Sequence, residues 1–249
     1  RGEEWLPSAP IHVQMFDALG FKRPFYAHLP VIMKNDNGNR RKLSKRLDPE
    51  ASVSYFIEQG YPTDALLIYL CTIANSNYEE FRLANPDAKI EDFKLTFEKF
   101  SLDGALFDLE KINNISKDVI FKTPLEQLVS NVKTWAEAYD EKLLSLINLD
   151  EEMFKKIMNF GKDDPQPRKD YYKFGGMSDT IDFFYGDIYD SLVATNGLTY
   201  NEKFDKQLIK TILGLLRDNL DTSKEESLWF ADMKAIALDN KFAPNGKTL

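Results

Sequence analysis

Lys42-Leu43-Ser44-Lys45-Arg46 sets one serine between two lysines, and Arg40 and Arg41 stand just before them. Such a stretch can grip a polyphosphate. A lysine ammonium acts there as a point charge, an arginine guanidinium as a fork that engages two oxygens, and the serine adds a hydroxyl donor. By itself a basic pentapeptide is ordinary solvated surface, so its neighbours decide what it does.

Few other residues offer chemistry. His12 and His28 sit among apolar neighbours in PIHV and AHLP, which suits packing. Together with Cys71, the only cysteine, they give no metal-ligand spacing. Cys71 lies in the apolar run ALLIYLCTIA and reads as a small buried hydrophobe, and a lone cysteine excludes a disulfide framework. At 249 residues, one or two domains can each bury a core. No run approaches the roughly 20 apolar residues that cross a bilayer, and no signal peptide is visible. The expectation is a cytoplasmic protein without a membrane partner, and nothing implies an oligomer. A net charge of −8 argues against a general nucleic-acid coat protein. Basic clusters at Lys34–Arg46 and Arg168-Lys169 still allow contact with RNA through limited patches.

Around the basic stretch the pattern predicts these elements. Pro10 to Leu19 is a helix closed by Gly20, and His28–Met33 a short strand. NDNGNRR is rich in turn formers and reads as loop. Asp48 caps a helix that Pro49 opens and Gly60 ends. Thr63 caps the next, with Ala65, Leu66, Tyr69, Leu70 and Ile73 on one face. Glu91–Phe100 is a third, shorter helix, and DLEKINNIS a fourth. From Thr123 onward helical spacing persists, beginning with Leu125, Leu128, Val129, Val132 and Trp135, and recurring at about 140–160, 178–195, 201–219 and 223–240. Two prolines and a glycine make Gly161–Asp170 a connector.

Four further segments stand in register with KLSKR: RGEEWLPSAPIHVQMFDALGF (Arg1–Phe21), AHLPVIM (Ala27–Met33), GYPTDALLIYL (Gly60–Leu70) and SLDGALFDLEKI (Ser101–Ile112). In this order and at these spacings the chain resembles the glutamyl-tRNA synthetases, class I aminoacyl-tRNA synthetases. KLSKR sits where that family carries its KMSKS-type signature. The match is strong from Arg1 to about Ile112 and looser to Ala243.

The resemblance implies a mainly α chain in three parts. Residues 1–5 would end the nucleotide-binding catalytic domain, 6–120 would form a small α+β stem-contact domain carrying the signature loop, and 121–249 an all-helical anticodon-binding region, incomplete at its C-terminus. It implies ligation of glutamate to tRNA through glutamyl-adenylate, with ATP, glutamate and tRNA as partners. Magnesium would travel with ATP rather than in a protein cage. Lys45 would contact phosphate as the catalytic cation. Lys42, Leu43, Ser44 and Arg46 would complete the ATP-binding loop, with Leu43 in place of the signature methionine and Arg46 in place of its last serine. Trp5 would offer a flat face near adenine and Glu4 an acceptor. Arg1 would pair with the side-chain carboxylate of glutamate.

No HIGH-type motif is present, and the chain opens at Arg1 inside a motif, so an internal piece of a longer enzyme, inactive alone, is expected. After DLEKI the family's tryptophan–asparagine pair is replaced by NNISKDVI, in which Asn114 keeps the asparagine. Asp182 falls where some members place an anticodon-reading arginine. Two alternatives stay open: a non-catalytic RNA-binding module derived from a synthetase, and a glutaminyl-tRNA synthetase. The second would need β-barrels after residue 121, where period-two patterns are scarce.

Overall fold

A computed structural model describes residues 1–100, 103–162, 167, 169–196, 205–219, 221 and 223–240. Ser101 and Leu102 of the SLDGALF segment, Arg168, much of the Gly161–Asp170 connector and residues 197–204 fall outside that set. Two compact units are present, Arg1–Tyr185 and Gly186–Leu249.

The first unit opens with helix α1 (Ala9–Ala18), with Pro10 in its first turn, and Gly20 behind it takes a positive φ of 69°. The one sheet among the described residues is a hairpin of β1 (Met33–Asp36) and β2 (Asn39–Lys42), pairing Met33 with Lys42 and Lys34 with Arg41. Asn37 and Gly38 have φ of 52° and 89°, the left-handed pair that a two-residue type I′ turn requires. NDNGNRR is therefore two strand ends and a tight turn, where a loop was expected. The strand expected at His28–Met33 is displaced with it. Only Met33 joins the ladder, and Leu29 makes a single bridge to Gly2. Pro30, which has no N–H to donate, stands in the middle of that stretch.

The helix expected from Asp48 to Gln59 is split. A short 3-10 turn (Pro49–Ala51) is followed by α2 (Val53–Glu58), and Ser52 between them is extended at φ −109°, ψ 134°. Asp48 makes no side-chain cap, because its oxygens are bound elsewhere. Helix α3 (Thr63–Ala74) buries Ala65 and Tyr69, and α4 (Tyr78–Ala84) follows. Glu91–Phe100 is not a helix but two 3-10 turns, Ile90–Asp92 and Phe97–Lys99. Buried Asn75 donates its side-chain amide to the Thr96 carbonyl at 3.0 Å, and Ser76 N–H reaches Lys99 O at 3.2 Å. These bonds draw the backbone of 96–100 out of helical pairing.

Helix α5 (Leu109–Lys122) packs on α3, and Phe56, Tyr61, Ala65, Tyr69, Ile112 and Ile115 form their shared core. Tyr61 donates its hydroxyl to Asn113 Oδ1 at 2.7 Å, while Asn114 is exposed, so Asn113 is the asparagine packed against this core. Helices α6 (Leu125–Tyr139), α7 (Glu141–Leu149), α8 (Glu151–Asn159) and α9 (Met177–Ile181) build a second core around Val132, Leu143, Ile147, Phe154 and Ile181. Asp108, Asp140 and Asp150 cap α5, α7 and α8 by accepting the N–H three residues on, at 3.0, 2.9 and 2.9 Å. The second unit holds α10 (Gly186–Asn196), α11 (Lys206–Asn219) and α12 (Glu226–Asp239). Among the described residues after 120 every regular element is helical, in line with the predicted mainly α chain.

Candidate functional site

The hairpin delivers the basic stretch. Lys42 ends β2, and Leu43 N–H donates to Ile32 O at 2.9 Å, which holds the chain beside the incoming strand. The chain then turns tightly, with Leu47 and Asp48 N–H both returning to Ser44 O at 3.0 and 2.8 Å. On its far side the hairpin is propped by the segment after Gly104. Met33 N–H donates to Ala105 O at 2.8 Å and Phe107 N–H to Met33 O at 2.7 Å. A Cβ at position 104 would lie 2.5 Å from Val31 O, so only glycine allows this approach.

Asp48 anchors the turn. Its carboxylate is 1% exposed and accepts from Ser44 N–H at 2.9 Å, from Arg41 Nη1 and Nη2 at 2.6 and 2.8 Å, and from Lys34 Nζ at 2.9 Å. Lys34 is shared with Glu50, and Arg41 with Asp36 at 2.8 Å. The Arg41 fork, then Lys34, hold the Asp48 carboxyl far below the usual carboxylate range. The same contacts push Arg41 and Lys34 up, with Asp48 the leading cause for each.

A concavity of about 780 Å³ opens over the turn. All of Lys42, Leu43, Ser44, Lys45 and Arg46 line it, together with Val31, Ile32, Ala51, and Gly2 and Glu4 from the start of the chain. Lys42 Nζ lies 3.5 Å from Glu4 Oε1. The Glu4 carboxyl is held below its ordinary value, first by a hydrogen bond to its own backbone and then by Lys42. Lys45 and Arg46 are exposed, and neither pairs with a carboxylate among the described residues. Two cations, a serine hydroxyl and a lysine shared with one carboxylate thus face a basin floored by Val31 and Ile32. That arrangement can take a polyphosphate.

The predicted set is brought together in part. Glu4 and residues 42–46 meet, whereas Arg1 and Trp5 do not line the basin. The Arg1 guanidinium stacks on the Trp5 ring, 4.9 Å from its centroid, with Nη1 3.4 Å from His12 Nδ1. Arg41 leaves the grip expected of it, neutralised by Asp48 and Asp36, and Arg40 does not line the basin. Asp48 and Lys34 were missed in the sequence. Asp48 looked like a helix cap, and nothing in spacing shows a lysine fourteen positions back turning onto it.

A second concavity, of about 700 Å³, runs beside α5 and α8. Phe121, Met153, Ile157, Phe160, Phe183 and Phe184 line it, with lysines at 117, 156, 162, 169 and 173. Lys162 donates to Thr123 O at 3.0 Å, and burial pushes its ammonium down. Lys169 pairs with Asp118, whereas Lys117 and Lys156 pair with no carboxylate among the described residues. Asp182, nearby in sequence, accepts from Lys142 Nζ at 2.8 Å and is nearly buried, so its charge is spent inside the fold.

Residues 1–114 match the family model of tRNA synthetases class I (E and Q), catalytic domain. A glutamate–tRNA ligase of Clostridium perfringens (strain 13 / Type A) is 41% identical over 247 residues, spanning 99% of this chain and 45% of that protein. One from Acetivibrio thermocellus is 38% identical over 247 residues, spanning 99% of this chain and 44% of that protein. The solved glutamate-tRNA synthetase of Elizabethkingia anophelis superposes with a TM-score of 0.51 at 20% identity, covering 98% of this chain and 48% of that one, a likeness of fold alone. The chain spans about 45% of the length of the curated relatives it matches.

Proposed function

We propose that this chain, as a member of the glutamate- and glutamine-type class I tRNA synthetases, serves the ATP-dependent ligation of glutamate to tRNA. In this reading residues 6–120 present the phosphate-gripping turn and contact the acceptor stem, and residues 121–249 contribute the anticodon side. The observation that carries it is the convergence of Lys42, Ser44, Lys45 and Arg46 with Glu4 around one basin.

The chemistry has two steps. A glutamate carboxylate oxygen attacks the α-phosphorus of ATP, forming the P–O bond of glutamyl-adenylate as the bond to the β-phosphate oxygen breaks and pyrophosphate leaves. A terminal ribose hydroxyl of tRNA then attacks the adenylate carbonyl, loses its proton and expels AMP. Charge grows on the pyrophosphate in the first step, so cations already in place lower the barrier without having to reorganise. Lys45 and Arg46, exposed over the basin and without a carboxylate partner among the described residues, suit that role. Lys42 would exchange Glu4 for phosphate oxygen. No three His, Cys, Asp or Glu side chains gather to hold an ion among the described residues, so the phosphates of ATP would be the ligands that bring magnesium. Arg1 would reach a glutamate carboxylate only after leaving its stack on Trp5.

The test is ATP–pyrophosphate exchange in a chimera where this chain replaces the matching segment of a clostridial relative. Lys45→Ala should slow exchange by roughly a hundredfold, the scale of losing one preorganised donor at a developing charge. A change below about threefold would remove Lys45 from the role.

A further inference from the structure

We propose that Asp48 is a positioning residue for the phosphate-gripping turn: its buried carboxylate rivets the Ser44 backbone to the hairpin through Arg41 and Lys34. The proposal rests on the function assigned above to that turn. Asp48 lies outside the pentapeptide and outside the basin lining.

Three observations carry it. Every donor on the carboxylate comes from the hairpin or from the turn itself: Ser44 N–H at 2.9 Å, both Arg41 terminal nitrogens at 2.6 and 2.8 Å, and Lys34 Nζ at 2.9 Å. Arg41 and Lys34 are directly opposite each other in the ladder, so one carboxylate ties both strands and the turn at a single point. At 1% exposure the group is out of solvent, where a charge persists only if it is fully paired, and removing one partner strands the rest. Ser44 is the middle residue of the basic stretch, and its carbonyl accepts from Leu47 and Asp48 at 3.0 and 2.8 Å. Fixing its N–H fixes where Lys45 and Arg46 emerge.

The same contacts set which cations face the ligand. Arg41 and Lys34 are held by Asp48, with Asp36 and Glu50 as further partners, leaving Lys45 and Arg46 as the pair with no carboxylate partner among the described residues. Two consequences of losing the Asp48 charge therefore have opposite signs. If Asp48 merely offsets positive charge, Asp48→Asn frees cations and polyphosphate binds more tightly. If Asp48 positions the turn, the same change loosens Ser44 and costs turnover while ground-state attraction for ATP holds or rises.

The experiment has two parts. In this chain, hydrogen exchange of the Ser44 amide is measured for wild type, Asp48→Asn, Asp48→Glu and Arg41→Lys. In the chimera, kcat and KM for ATP are measured in pyrophosphate exchange for the same variants and Lys45→Ala. The expected result is at least tenfold faster Ser44 exchange and at least tenfold lower kcat for Asp48→Asn, with KM for ATP unchanged or lower. Asp48→Glu should recover part of both, and Arg41→Lys, which keeps the charge and loses the fork, should fall between. If Asp48→Asn does not fold, Arg41→Lys carries the test, with slower turnover at unchanged KM expected. Unchanged kcat, or a loss confined to KM, overturns the positioning role. Should Lys45→Ala leave exchange untouched, the turn itself is not the phosphate grip, and that result is distinguishable because Ser44 exchange would still respond to Asp48.

Discussion

Trp135 donates its indole N–H to the Ile57 carbonyl at 2.8 Å, across 78 residues of sequence. The bond joins α6 of the helical region to the end of α2, which follows the basic turn. Two backbone bonds run beside it, Phe174 N–H to Gly60 O at 2.9 Å and Gly175 N–H to Gln59 O at 3.1 Å. This seam makes residues on both sides of position 120 parts of one packed unit. Trp135→Phe keeps most of the ring packing and deletes the bond, so stability should fall by about 1 kcal/mol. Urea unfolding of the two proteins measures it, and an unchanged midpoint would show that the seam holds without the bond.

Gly60 sits in the same seam at φ 79°, and a Cβ there would lie 2.7 Å from Phe174 Cβ and 2.9 Å from the Trp135 ring. Backbone strain and overlap act together, so Gly60→Ala should destabilise by about 2 kcal/mol or more. A second change, Trp135→Leu, would relieve only the overlap with the ring, leaving the Phe174 contact and the positive φ. Recovery to wild-type stability in the double variant would mean that neither of those costs anything.

How much of this was legible in the sequence depended on whether the signal was local. The α6 helix follows from apolar spacing, and Leu128, Val129 and Val132 are buried as that spacing requires, whereas the single helical stretch expected at about 140–160 is two helices, α7 and α8, divided at Asp150, whose carboxylate caps the second. The Asn37-Gly38 turn carries a local hairpin signal, but the flanking residues Lys34, Asn35, Asp36, Asn39 and Arg40 show no apolar alternation, so the stretch reads as loop. Asp48 followed by Pro49 has the form of a helix start, yet tertiary partners outcompeted the cap. Glu91–Phe100 was lost in the same way, to Asn75. No spacing rule brings Glu4 to Lys42 or turns Lys34 onto Asp48, since those meetings are made by the chain's return over the hairpin.

Acid should test the charge state of the anchor. Asp48 has a depressed carboxyl pKa in the fold, so its contribution is complete above the unfolded value of about 4 and is lost as pH falls towards the folded one. Arg41 and Lys34 are raised, so their part is complete below about pH 10. The stability gap between wild type and Asp48→Asn should therefore stay level from about pH 5 to pH 9 and shrink below about pH 4. A gap that changes near neutrality would place the responsible proton on another group.

The groove beside α5 and α8 gives the last prediction, which rests on the proposed tRNA partner. Lys117 and Lys156 both line it and pair with no carboxylate among the described residues, so their charges are available to RNA phosphates. Lys162, Lys169 and Lys173 are engaged with Thr123 O, Asp118 and Gln59 and should contribute less. A protein of net charge −8 can neutralise few phosphates, so tRNA affinity should fall only gently with salt, by two to four contacts' worth, estimated at about 0.7–0.9 in slope per contact. Lys117→Gln with Lys156→Gln should weaken binding similarly for glutamate tRNA and an unrelated tRNA, and flatten the slope by about two contacts. Filter binding across a salt series reads both quantities. An unchanged slope would show that phosphates pass elsewhere on the molecule, and a loss confined to glutamate tRNA would show that these lysines read sequence or shape instead of charge.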